Sequence, residues 1–476
     1  ELVKMQEKNI TPRLRLQPSE HRFILILGDI AAAVLALFIA LYLWSTGDAW
    51  MNFSMEFLRT RPDAWFYFLP VIWIALMVDN YDLNKAGSLK LTLKAIGLAI
   101  IVASIFYLIV YFAMPPQTLP RRGVAYFIIF VSILTLIWRL IYVRIFSAAT
   151  KSRRLLVIGA GKAGSTLVNI LADQAQPPYN LLGLIDDDPE KLGAEIRGYK
   201  ILGDHSQLLT LAKELGVTDL ILAISGQMNH GMFQNLLTAQ EKGLQISTMA
   251  QVYEELLGRV PIELLDSEWV VRSFVDRAPL GGIYRLLKRL LDLILTIIAL
   301  VFFIALIPII AFLILIDSGK PVIYSQERLG RGGEPYRIYK FRTMKNKADM
   351  EKEALVTAYN DPRITRLGKF LRKVHLDELP QVINVMKGEM SWVGPRSERS
   401  ELVAVFQQNV PFYRARMLVK PGITGWAQIH QQYAETIEET AVKLEYDLYY
   451  IEHANLLMDI TIILRTFGSV LGFKGR

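Results

Sequence analysis

The chain has 476 residues, a mean hydropathy of +0.30 and a formal net charge of +8. This length predicts two or three domains, and the positive mean hydropathy indicates a membrane protein. The absence of cysteine excludes disulfides, thiol catalysis and cysteine-based metal sites. The basic balance fits anionic lipids or phosphorylated substrates, and the sequence contains no recognisable nucleic-acid-binding module.

Four apolar segments come first, and most are long enough to cross the ~30 Å hydrocarbon core of a bilayer as helices. They are Phe23–Trp44, Ala64–Val78, Leu91–Met114 and Val124–Ile145. Lysine and arginine are concentrated in the N-terminal tail and in every second connection after it, which places both ends of this group of segments on the cytoplasmic side. The sequence therefore predicts a four-helix transmembrane domain over residues 1–150.

A soluble stretch follows, in which an apolar strand leads into the spacing Gly159-x-Gly161-x-x-Gly164 and a helix. A second predicted strand ends at Asp186, the position that a ribose-binding acid takes in dinucleotide-binding folds. The pattern predicts a Rossmann-like domain over residues 151–265, with these four residues as candidates for nucleotide binding. The same glycines also suit a tight turn and close helix packing without a ligand, so both interpretations stay open.

The fifth apolar segment, Leu293–Ile316, follows a predicted linker over residues 266–283. It is long enough to span a bilayer, but basic residues flank both of its ends, and a span would place the second basic cluster outside the cell. Pro308 interrupts the segment and breaks the helical hydrogen-bond ladder. We predict a re-entrant helix over residues 289–316, broken at Pro308, that enters and leaves on the cytoplasmic face. An ordinary fifth span is the alternative.

The adjacent carboxylates Asp377 and Glu378 stand at the entrance of a short helix that Pro380 is expected to start and Gly388 to end. Free backbone N–H groups at a helix entrance favour anions. A carboxylate can accept a phosphoryl group, and paired carboxylates can hold magnesium. Residues 320–373 contain 14 basic side chains against 6 acidic ones, which suits a polyanionic substrate. The plainer alternative is that the pair only charges the first helical turn.

Seven blocks of sequence in the C-terminal part carry a family resemblance. They are KRLLD at 288–292, QERLG at 326–330, YKFRTM at 339–344, NDPRITRLG at 360–368, LDELPQ at 376–381, GEMSWVGPR at 388–396 and KPGITGWAQ at 420–428. This part resembles the bacterial sugar transferases that move a sugar 1-phosphate onto a polyprenyl phosphate, the monotopic phosphoglycosyl transferases. The whole layout is similar to the large members that start exopolysaccharide, capsule or O-antigen assembly. The chain departs from the family where Ile307 replaces a serine before Pro308, and where Ser397 replaces a proline after Arg396.

The resemblance implies a transfer in two steps. Asp377 would attack the sugar-bearing phosphate of a UDP-sugar and release UMP, and undecaprenyl phosphate would then take the phosphosugar from the aspartate. The expected sugar is glucose or galactose. Glu378 is implied as a helper or as a ligand of Mg²⁺, which Asp377 and Glu378 would hold. Arg396 is the main candidate for a diphosphate clamp because its planar fork can bind phosphate oxygens in pairs. The further candidates for diphosphate binding are Arg328, Lys340, Arg342, Arg363 and Arg366.

The fold expected is that of a membrane protein of α plus α/β class, with a four-helix transmembrane bundle, a Rossmann-like cytoplasmic domain and an α-rich monotopic catalytic module over residues 284–476. The expected location is the bacterial inner membrane, with both soluble parts on the cytoplasmic face. The expected partners are the UDP-sugar, undecaprenyl phosphate, the lipid bilayer and a second copy of the chain, and no nucleic acid. Asp292 is expected to pair with Lys288 or Arg289. The rival hypothesis is a membrane-bound NAD-dependent nucleotide-sugar dehydratase or epimerase, for which Tyr336 and Lys340 supply a Tyr-x-x-x-Lys spacing.

Overall fold

The computed structural model divides the chain into two compact units, Glu1–Arg153 and Arg154–Arg476. The structure describes residues 18–47, 52–81, 86, 89–113, 120–150, 153–174, 177, 179–224, 226, 228–264, 282–304, 306–345, 363–431 and 436–471.

The first unit is helical. Its helices are α1 (Pro18–Ser45), α2 (Met55–Thr60), α3 (Leu69–Leu76), α4 (Leu89–Ala113) and α5 (Arg121–Thr150). Within the described residues, α1 and α5 are long and apolar enough to cross a membrane. The second predicted segment is divided into a 3₁₀ turn, Ala64–Phe68, and the short helix α3. The chain is therefore a membrane protein by its long apolar helices, while the arrangement of four spans in a bundle stays a prediction.

The interior of the first unit contains a buried ion pair. Arg139 of α5 donates to the carboxylate of Asp29 of α1 at 2.5 Å, and both side chains are fully buried. Arg139 also donates to the backbone carbonyl of Asn80 at 3.1 Å. A buried charge is tolerated only when it is paired, so this contact joins α1, α5 and the turn that contains Asn80.

The first part of the second unit is a six-stranded sheet in the order β3-β4-β2-β1-β5-β6. The strands are β1 (Arg154–Ile158), β2 (Asn180–Ile185), β3 (Glu195–Ile196), β4 (Tyr199–Gly203), β5 (Asp219–Leu222) and β6 (Gln245–Thr248). All neighbouring strands pair in parallel except β3 with β4. The helices are α6 (Lys162–Asp173), α7 (Leu208–Glu214), α8 (His230–Glu241) and α9 (Met249–Leu257).

Helices cover both faces of this sheet. Apolar side chains of α6 and α9 pack on one face, and those of α7 and α8 pack on the other. Strands buried on both faces explain why β1 and β5 have nearly continuous apolar sequences. This is the doubly wound α/β arrangement that the glycine-rich pattern predicted. The predicted linker over residues 266–283 lies outside the described residues, apart from its last two positions.

Two apolar helices open the C-terminal part. They are α10 (Gly282–Ile304) and α11 (Leu306–Asp317), and they are bent relative to each other by 64°. Pro308 lies in the first turn of α11, where a missing N–H breaks no intrahelical hydrogen bond. A break of the membrane segment at Pro308 stays a prediction. A re-entrant path through the membrane stays a prediction.

The remaining elements form a compact module. They are β7 (Ile323–Leu329), β8 (Pro335–Phe341), α12 (Arg366–Lys373), α13 (Val382–Lys387), β9 (Ser391–Val393), α14 (Ser400–Asn409), β10 (Gly422–Thr424), α15 (Trp426–His430), α16 (Ile437–His453) and α17 (Leu456–Leu471). β7 and β8 form an antiparallel hairpin, and β9 and β10 pair in parallel. Val393 of β9, Leu448 of α16 and Ile462 of α17 meet in one core, which also receives Val260 from the end of the α/β part.

Candidate active site

The two adjacent carboxylates lie in a 3₁₀ helix, Leu376–Gln381, that leads directly into α13. His375 precedes this turn in the left-handed conformation, with φ of 57°. Gly388 ends α13 with φ of 83°, as predicted. Pro380 lies inside the 3₁₀ turn, so the α-helix begins after the carboxylates and not at them. Asp377 and Glu378 are both buried.

Two cations bind one oxygen of Glu378. The Oε1 atom accepts from Nζ of Lys340 at 2.6 Å and from Nη2 of Arg396 at 2.7 Å. Lys340 comes from β8 and Arg396 from the loop after β9, so three separate segments converge here. Hydrogen bonds between charged groups are roughly twice as strong as neutral ones. The structure thus brings together four of the residues that the sequence singled out: Asp377, Glu378, Lys340 and Arg396.

The two carboxyl groups differ in their electrostatic environment. Burial, followed by the negative charge of Glu378, raises the pKa of Asp377 to about 6. Burial also acts to raise the pKa of Glu378, but Arg396 and Lys340 outweigh it and hold this pKa well below its usual range. At neutral pH both groups are therefore mainly ionised. Glu378 is neutralised by its two cations, and Asp377 keeps the less stabilised negative charge.

A side chain that the sequence did not single out fixes the position of Lys340. Asn384 of α13 accepts from the backbone N–H of Tyr339 at 3.3 Å and donates to the carbonyl of Arg337 at 2.7 Å. These two bonds join the helix after the carboxylates to the strand that carries Lys340. Asn384 is fully buried, and nothing in its local sequence marks it as part of a site.

Arg372 is a second residue that sequence reasoning missed. It lies in the last turn of α12, and its positive charge lowers the pKa of Asp377. Its Nε atom donates to Oγ1 of Thr343 at 2.9 Å. The sequence could have indicated Arg372 as a site residue, because it lies five residues before Asp377 in a basic helix.

The other predicted diphosphate-binding residues have different surroundings. Arg328 donates to the carbonyl of Ser397 at 3.2 Å, next to Arg396 in the chain, and lies 3.7 Å from Glu398. Arg342 is buried and donates to the carbonyl of Lys320 at 2.7 Å. Arg366 begins α12 with an exposed side chain. The carbonyl of Arg363 accepts from the backbone N–H of Lys345 at 3.0 Å.

The polar residues at the start of α10 bind different elements of the catalytic module. Asp292 accepts from Oγ of Ser391 and from the backbone N–H of Trp392, both at 3.0 Å. Lys288 instead forms an ion pair with Asp459 at 2.9 Å. Lys288 also acts on the Asp292 carboxylate electrostatically, whereas the hydrogen bonds of Asp292 join it to β9 of the catalytic module.

The glycine-rich loop of the α/β part is closed by its own acidic residue. Asp186 accepts from the backbone N–H of Ala160 at 2.6 Å and is paired with Lys191 at 3.3 Å. Gly159 has φ of 105°, and a Cβ on Gly164 would lie 1.9 Å from the carbonyl oxygen of Gly159. Two of the glycines are therefore required by the turn and by the packing, whether or not a nucleotide binds.

Two models of known protein families match parts of this chain. The model of the bacterial sugar transferases matches residues 283–473, which include the carboxylate pair and all the cations around it. The model of a CoA-binding domain matches residues 77–247, which include the six-stranded sheet apart from its last residue.

Several known proteins are similar to the chain. The UDP-N-acetylgalactosamine-undecaprenyl-phosphate N-acetylgalactosaminephosphotransferase of Aeromonas hydrophila is 40% identical over 48% of this chain and 52% of its own length. The UDP-glucose:undecaprenyl-phosphate glucose-1-phosphate transferase of Xanthomonas campestris is 32% identical over 68% of this chain and 67% of its own length. The exopolysaccharide production protein PSS of Rhizobium leguminosarum is 36% identical over 39% of this chain and 95% of its own. The chain thus spans about half the length of the Aeromonas relative and nearly all of the Rhizobium one.

Proposed function

The chain belongs to the bacterial sugar transferase family, and from this premise we propose that it transfers a sugar 1-phosphate from a UDP-sugar to undecaprenyl phosphate and releases UMP. The observation that carries the proposal is the buried carboxylate pair with Lys340 and Arg396 bound to Glu378. This arrangement supports the proposal because Asp377, an ionisable carboxylate, lies close to cations that can bind phosphate oxygens. The names of the relatives support glucose and N-acetylgalactosamine as candidate sugars. Galactose is a further candidate that the sequence suggested.

In the first step, a carboxylate oxygen of Asp377 attacks the sugar-bearing phosphorus of the UDP-sugar. The bond between this phosphorus and the bridging oxygen breaks, and the oxygen leaves with UMP. The sugar phosphate is then esterified to Asp377 as an acyl phosphate. No proton is transferred, because the carboxylate is already ionised at neutral pH and UMP leaves as an anion.

In the second step, a phosphate oxygen of undecaprenyl phosphate attacks the same phosphorus. The bond to Asp377 breaks, the carboxylate is regenerated, and the product is the lipid-linked diphosphosugar. Both steps bring anions together, so repulsion is the main obstacle and fixed positive charge is the main remedy.

Glu378 has a different role from Asp377 in this scheme. It holds Lys340 and Arg396 at one oxygen, so the two cations stay beside the nucleophile when no substrate is bound. Arg396 has a partly exposed side chain, whereas Lys340 is the more buried of the two. We infer that Arg396 turns towards the diphosphate of the entering substrate and that Lys340 stays on Glu378.

Mg²⁺ fits the chemistry of this carboxylate pair. Lys340 and Arg396 bind Glu378 through its Oε1 atom, so its Oε2 atom and the carboxylate of Asp377 can serve as hard oxygen ligands. Magnesium typically binds one or two protein carboxylates together with the phosphates of the substrate. We propose that these two residues hold the ion, which would neutralise phosphate charge when bound.

The distribution of basic residues supports a location in the bacterial inner membrane with both ends of the helical unit on the cytoplasmic side. The bent pair α10 and α11 supports a re-entrant anchor that holds the module at the membrane surface. There the lipid phosphate meets the soluble UDP-sugar without extraction of the polyprenyl chain. We also propose a homodimer, which light scattering of the purified protein would test.

The rival dehydratase or epimerase activity has little support. Tyr336 and Lys340 both lie on β8, four positions apart, and an extended strand separates their backbones by about 13 Å. Lys340 is bound to Glu378, and Tyr336 is beside Ser397. A Tyr-Lys pair that shares one proton relay needs direct proximity, which this strand does not provide.

The test is an assay of UMP release. The purified full chain in nanodiscs is mixed with Mg²⁺, undecaprenyl phosphate and one of UDP-glucose, UDP-galactose or UDP-N-acetylgalactosamine. We expect release with one of these sugars, loss of release in Asp377→Asn, and strong reduction in Glu378→Gln. Glu401→Gln is the matched control, because Glu401 is an exposed carboxylate of the same module.

Omission of the lipid separates the two steps. Wild-type protein should then release one UMP per active site and gain the mass of one sugar phosphate in intact-protein mass spectrometry. Full activity in Asp377→Asn, or no UMP from any of the sugars, would refute the proposal.

A further inference from the structure

The loop that carries Arg396 is held at four consecutive backbone carbonyls, those of residues 395–398. The carbonyl of Pro395 accepts from the backbone N–H of Gly422 at 2.9 Å, and that of Glu398 accepts from the backbone N–H of Leu329 at 3.2 Å. The two carbonyls between them accept from arginine side chains. Arg416 donates to the carbonyl of Arg396 at 2.9 Å, and Arg328 donates to the carbonyl of Ser397 at 3.2 Å. Four consecutive carbonyls are therefore fixed by four donors.

Arg416 is itself held rigidly. Its side chain is only 5% exposed, forms an ion pair with Asp447 of α16 at 2.8 Å and donates to the hydroxyl of Tyr413 at 2.7 Å. A planar guanidinium presents several donors in a fixed geometry, so it can bind Asp447 and a carbonyl at the same time. The position of the Arg396 backbone is thus set by a buried arginine that is anchored on a core helix.

Arg328 belongs to the same ionic network through Glu398. The carboxylate of Glu398 accepts from Lys443 at 2.9 Å and lies 3.7 Å from Arg328 and 3.9 Å from Arg416. Burial acts to raise the pKa of Glu398, but these cations outweigh it and hold the pKa at about 2. The carboxylate therefore stays ionised and keeps both arginines in place.

The opposite side of the loop is fixed by close backbone packing. A Cβ on Gly422 would lie 2.1 Å from the backbone nitrogen of Gly394, and a Cβ on Gly394 would lie 2.3 Å from the carbonyl oxygen of Lys420. Only glycine permits this approach. With the backbone held on both sides, movement of Arg396 is restricted to its side chain, which reaches Glu378 at 2.7 Å.

We propose that Arg416 and Arg328 are positioning residues that set the Arg396 guanidinium at the phosphate-binding position. They do not touch the substrate, and they act through the two carbonyls that they hold. A group that binds phosphate in the transition state must lie within about 0.5 Å of its productive place, and Ser397 has no ring to restrict the backbone after Arg396. The inference rests on the proposed function, in which Arg396 binds the diphosphate.

The test compares Arg416→Lys and Arg328→Lys, which keep the charge but lose the bridging geometry. We expect a fall of about tenfold in kcat/KM for the UDP-sugar, the size expected for one charge-assisted hydrogen bond. The KM for undecaprenyl phosphate should change by less than about twofold if only the diphosphate clamp is displaced. Arg414→Lys is the matched control, because Arg414 is an exposed arginine two residues from Arg416.

A double-mutant cycle separates positioning from stability. In the Arg396→Ala background, Arg416→Lys should lower kcat/KM by less than about twofold, because the group that it positions is gone. An equal fall in both backgrounds, an equal loss for both substrates, or no effect in the single variants would overturn the inference. Arg328 is the less buried of the two, so its variant serves if Arg416→Lys does not fold.

A binding measurement keeps the inference distinct from the proposed reaction. Calorimetry with UDP on the Asp377→Asn protein does not depend on turnover. We expect Arg416→Lys to weaken UDP binding about tenfold when Arg396 is present and not when it is replaced by alanine. If Asp377→Asn releases UMP normally while this coupling is observed, the nucleophile assignment fails and the positioning role stands.

Discussion

The junction between the α/β part and the catalytic module contains a carboxyl group, on Glu445 of α16, with a shifted pKa. Its Oε2 atom accepts from the hydroxyl of Tyr253 at 3.0 Å and lies 3.3 Å from Arg259. Its backbone carbonyl accepts from the N–H of Val260 at 3.1 Å. Burial raises the pKa of Glu445 to about 7, although Arg259 acts to lower it, while Glu263 adds to the increase. We predict that the junction is weakened by this one group as the pH rises from about 5.5 to about 8.

The sign and size follow from proton linkage. In the closed form, in which Glu445 is buried at the junction, its pKa is about 7, and in the open form, in which it is exposed, the pKa has its ordinary value of 4.5. Between these two pH values the closed form therefore binds more protons than the open form. The stabilisation is complete below the ordinary value and is lost as the pH rises through about 7. From about pH 5.5 to about pH 8 the free energy of opening should fall by about 2 kcal/mol, or about 25-fold in the equilibrium constant.

Hydrogen exchange of the Val260 amide measures this opening, because that amide donates its hydrogen bond to the backbone carbonyl of Glu445. After correction for the intrinsic pH dependence of exchange, protection in the wild type should fall about 25-fold over this range. Glu445→Gln can still accept from Tyr253 but has no charge, so its protection should be nearly constant. Glu438→Gln, at the exposed start of the same helix, should behave as the wild type. Constant wild-type protection, or the same fall in Glu445→Gln, would refute the reasoning.

Two further predictions concern stability. Asp29→Asn leaves Arg139 buried without its counter-charge and should lower the free energy of unfolding of the helical unit, measured in detergent, by about 3–5 kcal/mol. The double variant Asp29→Leu with Arg139→Met should recover most of this loss. Equal destabilisation in the single and the double variant would contradict the ion-pair argument. Gly164→Ala forces a Cβ against the carbonyl of Gly159 and should lower the free energy of unfolding by about 1–3 kcal/mol. A Cβ on Gly161 meets no atom within 4 Å, so Gly161→Ala should cost less than about 1 kcal/mol. Thermal unfolding of both variants measures the difference, and a similar loss in both would show that packing is not the cause.

The sequence was most informative where function depends on residues that are close together in the chain. Asp377 and Glu378 could be singled out because two adjacent carboxylates follow a strongly basic stretch. Lys340 and Arg396 could be named as candidates by residue type and by family resemblance. Their common contact with one oxygen of Glu378 could not, because β8 and the loop after β9 are brought together only by the tertiary fold.

The ionic network behind Arg396 shows the limit more clearly. The sequence named Arg328 as a candidate for diphosphate binding, but its hydrogen bond to the Ser397 carbonyl could not be predicted from the sequence. Arg416 and Asp447 had no local feature that distinguishes them from surface charges. Burial and pairing decide the role of a charged residue, and neither property is visible in a sequence without its fold.

The helix α10 illustrates how an apolar segment can also belong to a site. Arg289 donates to two carbonyls in the last turn of α13, at 2.6 and 2.8 Å, which is a favourable place for a cation at a helix C-terminus. Asp292, one turn further, accepts from β9. α13 follows the carboxylates and β9 precedes Arg396, so one helix bonds to both halves of the site. The same helix exposes the apolar side chains of Ile297 and Val301. α10 therefore combines an exposed apolar face with polar contacts to both segments that flank the site, and these contacts could not be read from an apolar stretch of sequence.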